Sequence, residues 1–404
     1  MTETATVIIG AGQAGAHAAV AARTAGLTGR IVLVGAEPHA PYERPPLSKA
    51  ALTEHPAPEP GWFFPPSRYA ELEIELLTGA AATAIDRAAA RVELADGRSL
   101  PYDRLLLATG GRARLLTVPG GERALVLRTL DEARALRARL LPGARVVCIG
   151  AGVIGLEVAA SARARGCSVT VLEAAPAPLG RCTTPEMAQW VAALHLRAGV
   201  ALHFGVAVAA VEPDAVISAA GARFPADLVI AGIGMVRNTE LAVAAGLAVD
   251  NGIVVDEYGR ASENNVFAAG DVAAFWQKRL GRVLRLESWR HAQDHGIAVG
   301  RAMAGQAAPY DEVPWFWTEQ HGRTLQVAGL PAEAARTVLR GTKEDASFCA
   351  FHLDAAGRVV AATGVDAPRE VRVAMALIRA GSVVDPARLA DPAVKLQALA
   401  RGAG

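Results

Sequence analysis

The sequence predicts an α/β fold in which two Rossmann-like βαβ domains are followed by a smaller C-terminal α+β domain. Three observations carry that expectation. First, Gly10-Ala11-Gly12-Gln13-Ala14-Gly15 and Gly150-Ala151-Gly152-Val153-Ile154-Gly155 are glycine fingers of one kind, 140 residues apart. Second, each finger follows an apolar run (Ala5 to Ile9, Val146 to Ile149) and opens an alanine-rich helical segment. After a second apolar run each unit reaches an acid, Glu37 or Glu173. That order of parts is the layout of a dinucleotide site. Third, the pattern changes from about Glu319. Strand-like runs at Thr324 to Val327, Ser347 to His352 and Val359 to Thr363 precede a helical stretch near Glu370 to Ala380, and no finger recurs.

In such a finger the first glycine makes the tight turn, the second lets backbone N–H groups reach a pyrophosphate, and the third lets the helix pack on the strand. The pyrophosphate then sits at a helix N-terminus, where unpaired N–H groups and the helix dipole favour negative charge. One finger is weak evidence. Two, each in strand–turn–helix context with an acid downstream, point to a protein that holds two dinucleotides.

In chain order, the first unit runs from Thr4 to Glu37. Prolines 41, 45 and 46, and a second cluster from Pro56 to Pro66, predict irregular loops. Leu105 to Leu107 reads as a buried strand ending in Thr109-Gly110-Gly111. Asp131 to Leu141 reads as a helix stopped by Pro142-Gly143. The second unit spans Ala144 to Glu173. Two further strands, Asp227 to Ile233 and Asn265 to Ala269, end in Gly234 and in Gly270-Asp271. Sheets of this class bind ligands at strand carboxyl ends, which makes both turns candidate contacts. The expected boundaries are 1–112 with 241–318, 113–240, and 319–404.

Composition narrows the function. A chain of 404 residues exceeds one core, and a net charge of +1 gives no global case for nucleic acid. No apolar stretch approaches a membrane span; Ala198 to Val211 is the longest and contains His203. The start has no basic n-region, so no secretory signal is expected, and cysteines that form no disulfide framework fit a cytoplasmic location. The four cysteines (148, 167, 182, 349) form no close pair, and none precedes Cys148. A redox disulfide beside the first unit is therefore not expected. His291 and His295, four apart on a presumed helix, lack a third ligand, so no metal is expected.

Further segments carry a resemblance: Pro41-Tyr42-Glu43-Arg44-Pro45-Pro46-Leu47-Ser48-Lys49, Ala108-Thr109-Gly110, Leu127-Arg128-Thr129-Leu130-Asp131, Val266-Phe267-Ala268-Ala269-Gly270-Asp271, Glu287-Ser288-Trp289 and Pro314-Trp315-Phe316-Trp317-Thr318-Glu319-Gln320. In this order they resemble the FAD-dependent ferredoxin reductases that serve bacterial cytochrome monooxygenases and Rieske-type oxygenases. The resemblance covers essentially the whole chain and implies a glutathione reductase-like fold with FAD and NADH as cofactors.

Carried over residue by residue, it assigns Gly10, Gly12, Ala14, Gly15, Glu37, Arg44, Lys49, Ala82, Thr109, Gly110, Arg128, Asp271 and Trp289 to FAD. Gly150, Gly152, Val153, Ile154, Gly155, Glu157, Glu173, Arg181 and Gly234 fall to NADH. Lys49 is expected to pair with Glu157 beside the flavin, and Trp317 to cover it. A carboxylate at Glu173 repels a 2′-phosphate and so favours NADH over NADPH, while Arg181 lies within reach of a phosphate.

The implied partner is a small, acidic 2Fe–2S ferredoxin that docks on a basic surface around Lys278 to Arg301, with Arg282 and Arg285 foremost. A monomer or weak homodimer is expected, with no nucleic-acid or membrane partner. A rubredoxin as acceptor, or an interaction role of the apoptosis-inducing-factor type, stays open.

Overall fold

The structure, a computed structural model, describes residues 4–401. The chain divides into two compact units. One comprises Met1–Glu43, Pro60–Arg112 and Val236–Glu312; the other comprises Arg44–Glu59, Ala113–Met235 and Val313–Gly404.

The first unit is built on a five-stranded parallel sheet in the order Val266–Ala268, Arg104–Leu107, Ala5–Ile9, Arg30–Val34, Ile74–Leu77. Its strands are apolar along their length because both faces are covered: Val7, Ile8, Leu105, Leu106 and Leu107 are fully buried. The helix Gln13–Thr24 follows the first strand. The strand order reverses between Ala5–Ile9 and Arg104–Leu107, which places the first finger and Thr109-Gly110 at one switch point. The helix Trp289–Met303 packs on Gln13–Thr24 through glycines. A Cβ at Gly296 would lie 2.4 Å from the Ala14 carbonyl oxygen, and one at Gly300 equally close to that of Ala18.

The second unit contains a four-stranded parallel sheet in the order Ala201–Phe204, Ser168–Glu173, Arg145–Ile149, Leu228–Ala231. Here the switch point lies between Arg145–Ile149 and Leu228–Ala231, flanked by the second finger and by Gly232 to Gly234. The same unit carries an antiparallel sheet in the order Trp315–Gln320, Arg323–Gly329, Val359–Val365, Phe348–Leu353, Arg336–Arg340, with the helix Pro368–Ala380 packed on it. This is the expected C-terminal α+β part.

One loop differs from expectation. The segment after Arg44 is not irregular: Pro45–Ser48 is a 3₁₀ turn, and Ala50–Thr53 is a short helix. Pro45 and Pro46 occupy its first positions, where a missing N–H costs no hydrogen bond. Ala198 to Val211 breaks into two short strands, Ala201–Phe204 and Val208–Val211. Among the described residues no helix is long and apolar enough to cross a membrane.

Candidate dinucleotide sites

In the first unit, Gly10 turns the chain with φ of 110°, and its N–H donates to Val34 O at 2.8 Å. A Cβ on Gly10 would sit 2.2 Å from the Ala108 carbonyl oxygen, and one on Gly15 would sit 1.9 Å from that of Gly10. Around Gly12 nothing lies within 4 Å of such an atom. The first and third glycines are thus required by packing, and the second opens a space at the start of the Gln13–Thr24 helix. No side chain caps that helix, so its first N–H groups are available to an anion.

Both polar atoms of the Gln13 side-chain amide are buried and make no hydrogen bond. Buried amides without partners are rare and costly, and a polar ligand in the finger would satisfy this one. These residues fit a dinucleotide phosphate.

Of the remaining first-unit positions, Thr109 lies against Gly10 of that finger, and the turn that holds Asp271 meets Ala14 through Gly270. Glu37 follows the second strand and accepts from Tyr42 Oη at 2.5 Å. Thr109 is held by Asn238: its Oγ1 donates to Asn238 O at 2.7 Å, and Asn238 Nδ2 returns a bond to Thr109 O at 2.9 Å. Gly110 has φ of 57°. Asp271 lies in the 3₁₀ turn Gly270–Val272, beside the finger, since a Cβ on Gly270 would be 2.8 Å from Ala14 Cβ. Trp289 opens its helix after the cap Ser288. Ala82 starts the strand Ala82–Asp86 and packs on the core, and Ala14 is buried against Gly270 and Gly296.

In the second unit the pattern repeats. The Gly150 N–H donates to Leu172 O at 2.7 Å, a Cβ on Gly155 would meet Gly150 O at 2.1 Å, and one on Gly152 would meet nothing closer than Gly232 O at 3.8 Å. The helix Val153–Ala164 again begins without a side-chain cap, and Ile154 in its first turn is exposed. Glu173 ends the next strand. Its carboxylate accepts from Ala151 N at 2.6 Å and from Ala175 N at 2.8 Å, which fixes it against the finger. Arg181 reaches the Gly234 turn, with Nη2 3.7 Å from where a Cβ there would lie.

The same unit assembles the predicted ion pair. Lys49 Nζ lies 2.9 Å from Glu157 Oε1 and also donates to Pro45 O. Glu157 is 2% exposed, and such a carboxylate is stable only with partners. It has two more, Ser48 Oγ and Thr318 Oγ1, the latter at 2.6 Å. Ser161 Oγ in turn holds the Ser48 carbonyl at 2.6 Å. Arg44 Nη1 donates to Arg128 O at 2.6 Å, so these two residues meet. Trp315 and Trp317 share a face of Trp315–Gln320, as alternation demands, and stack with centroids 5.4 Å apart.

Ser48, Thr318, Gln13 and Tyr42 were given no role by the motifs. The signal for Thr318 was present: it alternates with the tryptophans and so points to the opposite face.

Two other expectations meet plain geometry. His291 and His295 pack with Phe275 and Tyr310, with ring centroids 4.7 to 5.6 Å apart. Arg285 is a poor docking residue: its side chain is 12% exposed and paired with Glu287. Arg279 pairs with Asp311 and Arg290 with Asp294. All four cysteines are free, and Cys148, Cys167 and Cys349 are buried. Burial pushes the Cys148 thiol up to about 12.

The chain also matches known proteins in sequence and in fold. Residues 4–296 match the family described as pyridine nucleotide-disulphide oxidoreductase, and residues 315–400 match the reductase C-terminal domain. The chain is 40% identical to the anthranilate 1,2-dioxygenase system ferredoxin–NAD(+) reductase component of Burkholderia cepacia, over 97% of this chain and 98% of that one. It is 39% identical to putidaredoxin reductase of Pseudomonas putida, over 97% and 95%. A ferredoxin reductase from Rhodopseudomonas palustris superposes with a TM-score of 0.95 at 38% identity, covering 99% of this chain and 100% of that one. The covalent putidaredoxin reductase–putidaredoxin complex gives 0.94 at 38% identity, with 99% of each chain covered.

Proposed function

The chain belongs to the pyridine nucleotide-disulphide oxidoreductase family, and on that premise we propose that it is a ferredoxin–NAD(+) reductase that feeds an oxygenase system. FAD, when bound, supplies the chemistry: it accepts hydride from NADH and passes electrons on singly. The protein's own part is binding and placement. Gly12 and the helix start after it receive the FAD pyrophosphate, with Gln13 supplying an amide partner. Gly152, the uncapped helix start and Glu173 receive NADH, the carboxylate disfavouring a 2′-phosphate. Lys49, held by Glu157, is a fixed cation of the kind that stabilises a flavin as negative charge grows on reduction.

The observation that carries the proposal is a dinucleotide cradle in each unit together with four free cysteines. Because all four cysteines are free, a bound flavin would have no protein disulfide through which to relay electrons. Likeness to relatives named as ferredoxin–NAD(+) reductases supports a ferredoxin as acceptor. We assign a small, acidic 2Fe–2S protein in the cytoplasm. The hairpin of Ala273–Gln277 and Arg282–Leu284 supports the sign of that charge. It exposes the cross-strand pair Trp276 and Val283, at 40% and 49%, next to Lys278 and Arg282. Charge reversal at Arg282 and Lys278 is expected to lower the rate constant of ferredoxin reduction at low salt about tenfold and leave NADH oxidation unchanged. An unchanged salt dependence would remove the hairpin from the docking surface.

A further inference from the structure

Behind the Lys49–Glu157 pair runs a line of buried side chains that the fingers and the ion pair do not account for. Thr318 Oγ1 donates to Glu157 Oε1 at 2.6 Å, and Gln320 Nε2 donates to Thr318 Oγ1 at 2.9 Å. His195 Nε2 lies 2.7 Å from Gln320 Oε1, and His321 Nε2 lies 3.1 Å from His195 Nδ1. Thr318, Gln320 and His195 are 1%, 4% and 0% exposed; His321 is half-buried.

The directions of these bonds follow from chemistry. An amide oxygen only accepts, so His195 carries its proton on Nε2. Its Nδ1 is then a lone pair and accepts from His321 Nε2–H. Every donor therefore points the same way, from His321 through His195, Gln320 and Thr318 to the carboxylate. Bonds aligned head to tail polarise one another, and the ionised end gains most.

The fold holds both ends of this line. Thr318 and Gln320 occupy alternate positions of Trp315–Gln320, on the face away from Trp315 and Trp317. His321 and Gly322 form the two-residue hairpin turn to Arg323–Gly329, with φ of 50° and 73°. This is the primed turn that twisted strands require. A non-glycine residue at positive φ is uncommon, and here it sets the His321 ring 4.5 Å from that of His195, nearly edge-on.

We propose that Thr318, Gln320 and His195, with His321 at the outer end, are positioning residues that orient the Glu157 carboxylate toward Lys49 and so couple the hairpin turn to the flavin's ion pair. The proposal rests on reading Lys49 and Glu157 as that pair.

Two measurements on the holoprotein test it. In ¹⁵N NMR of histidine-labelled protein, His195 should be neutral with its proton on Nε2. Thr318→Val, which frees the Gln320 amide, should shift that tautomer population. Thr318→Ser, which keeps the hydroxyl, should restore it. The flavin midpoint potential should shift in Thr318→Val in the same direction as in Glu157→Gln but less far, and return in Thr318→Ser. A His195 proton on Nδ1 overturns the proposal. So does a Thr318→Val potential equal to the wild type's while that of Glu157→Gln differs. If Glu157→Gln itself leaves the potential unchanged, the reading of the ion pair fails, and the NMR result alone decides whether the chain exists.

Discussion

At single residues, the second glycine of each finger does different work from the third. Gly12 and Gly152 have room for a methyl group, while Gly15 and Gly155 would drive one into a backbone oxygen. Gly152→Ala should therefore fold normally, with an unchanged melting temperature, and raise the KM for NADH about tenfold, equivalent to about 1.4 kcal/mol of lost binding. Gly155→Ala should give little folded protein, because overpacking against rigid backbone costs at least 1–3 kcal/mol. Steady-state kinetics and thermal melts of the pair check this; equal melting temperatures would contradict it. Glu173 offers a second test. Glu173→Ala removes the carboxylate fixed by Ala151 N and leaves Arg181 beside the Gly234 turn. The ratio of kcat/KM for NADPH to that for NADH should rise at least tenfold, whereas an unchanged ratio would place cofactor choice elsewhere.

At the scale of elements, the helices Gln13–Thr24 and Trp289–Met303 meet through Gly296 and Gly300. Gly296→Ala should separate them, with loss of bound FAD before loss of the parallel sheet, seen as flavin release below the main melting transition. Simultaneous loss would show that the helix pair is not the weak point. The fingers were legible in the sequence because their requirement is local: a turn, a close approach and a helix start within six residues. The partners of Glu157 were not. Ser48 and Thr318 lie 109 and 161 residues from it in sequence, and a threonine in a strand reads as an ordinary alternating polar residue. Lys49 was matched to Glu157 only through likeness to known reductases. The proline segment was misread for a simple reason: proline is excluded from helix interiors but suits the first turn, and here it starts one.

Across the molecule, burial of histidine sets the response to acid. Burial holds His195 and His352 at about 4 and His291 at about 3, and keeps His295 well below its usual 6.5. Each is neutral when folded and binds a proton once unfolded below about 6.5. The unfolded chain thus holds more protons in that window, and stability is lost as pH falls from about 6.5 toward 4. The loss approaches about 1.4 kcal/mol per pH unit for each histidine. Urea midpoints should fall steadily between about pH 7 and pH 5; a flat profile would contradict neutral burial.

With all four cysteines free, the proposed route takes electrons from NADH to flavin to ferredoxin with no disulfide between. Anaerobic titration of the holoprotein with NADH reads it directly. One equivalent of NADH per FAD should bleach the flavin completely, and oxidised 2Fe–2S ferredoxin, which takes one electron per molecule, should then restore the oxidised spectrum at two equivalents per FAD. Uptake of two equivalents, or a reduced flavin that ferredoxin leaves unoxidised, would contradict it.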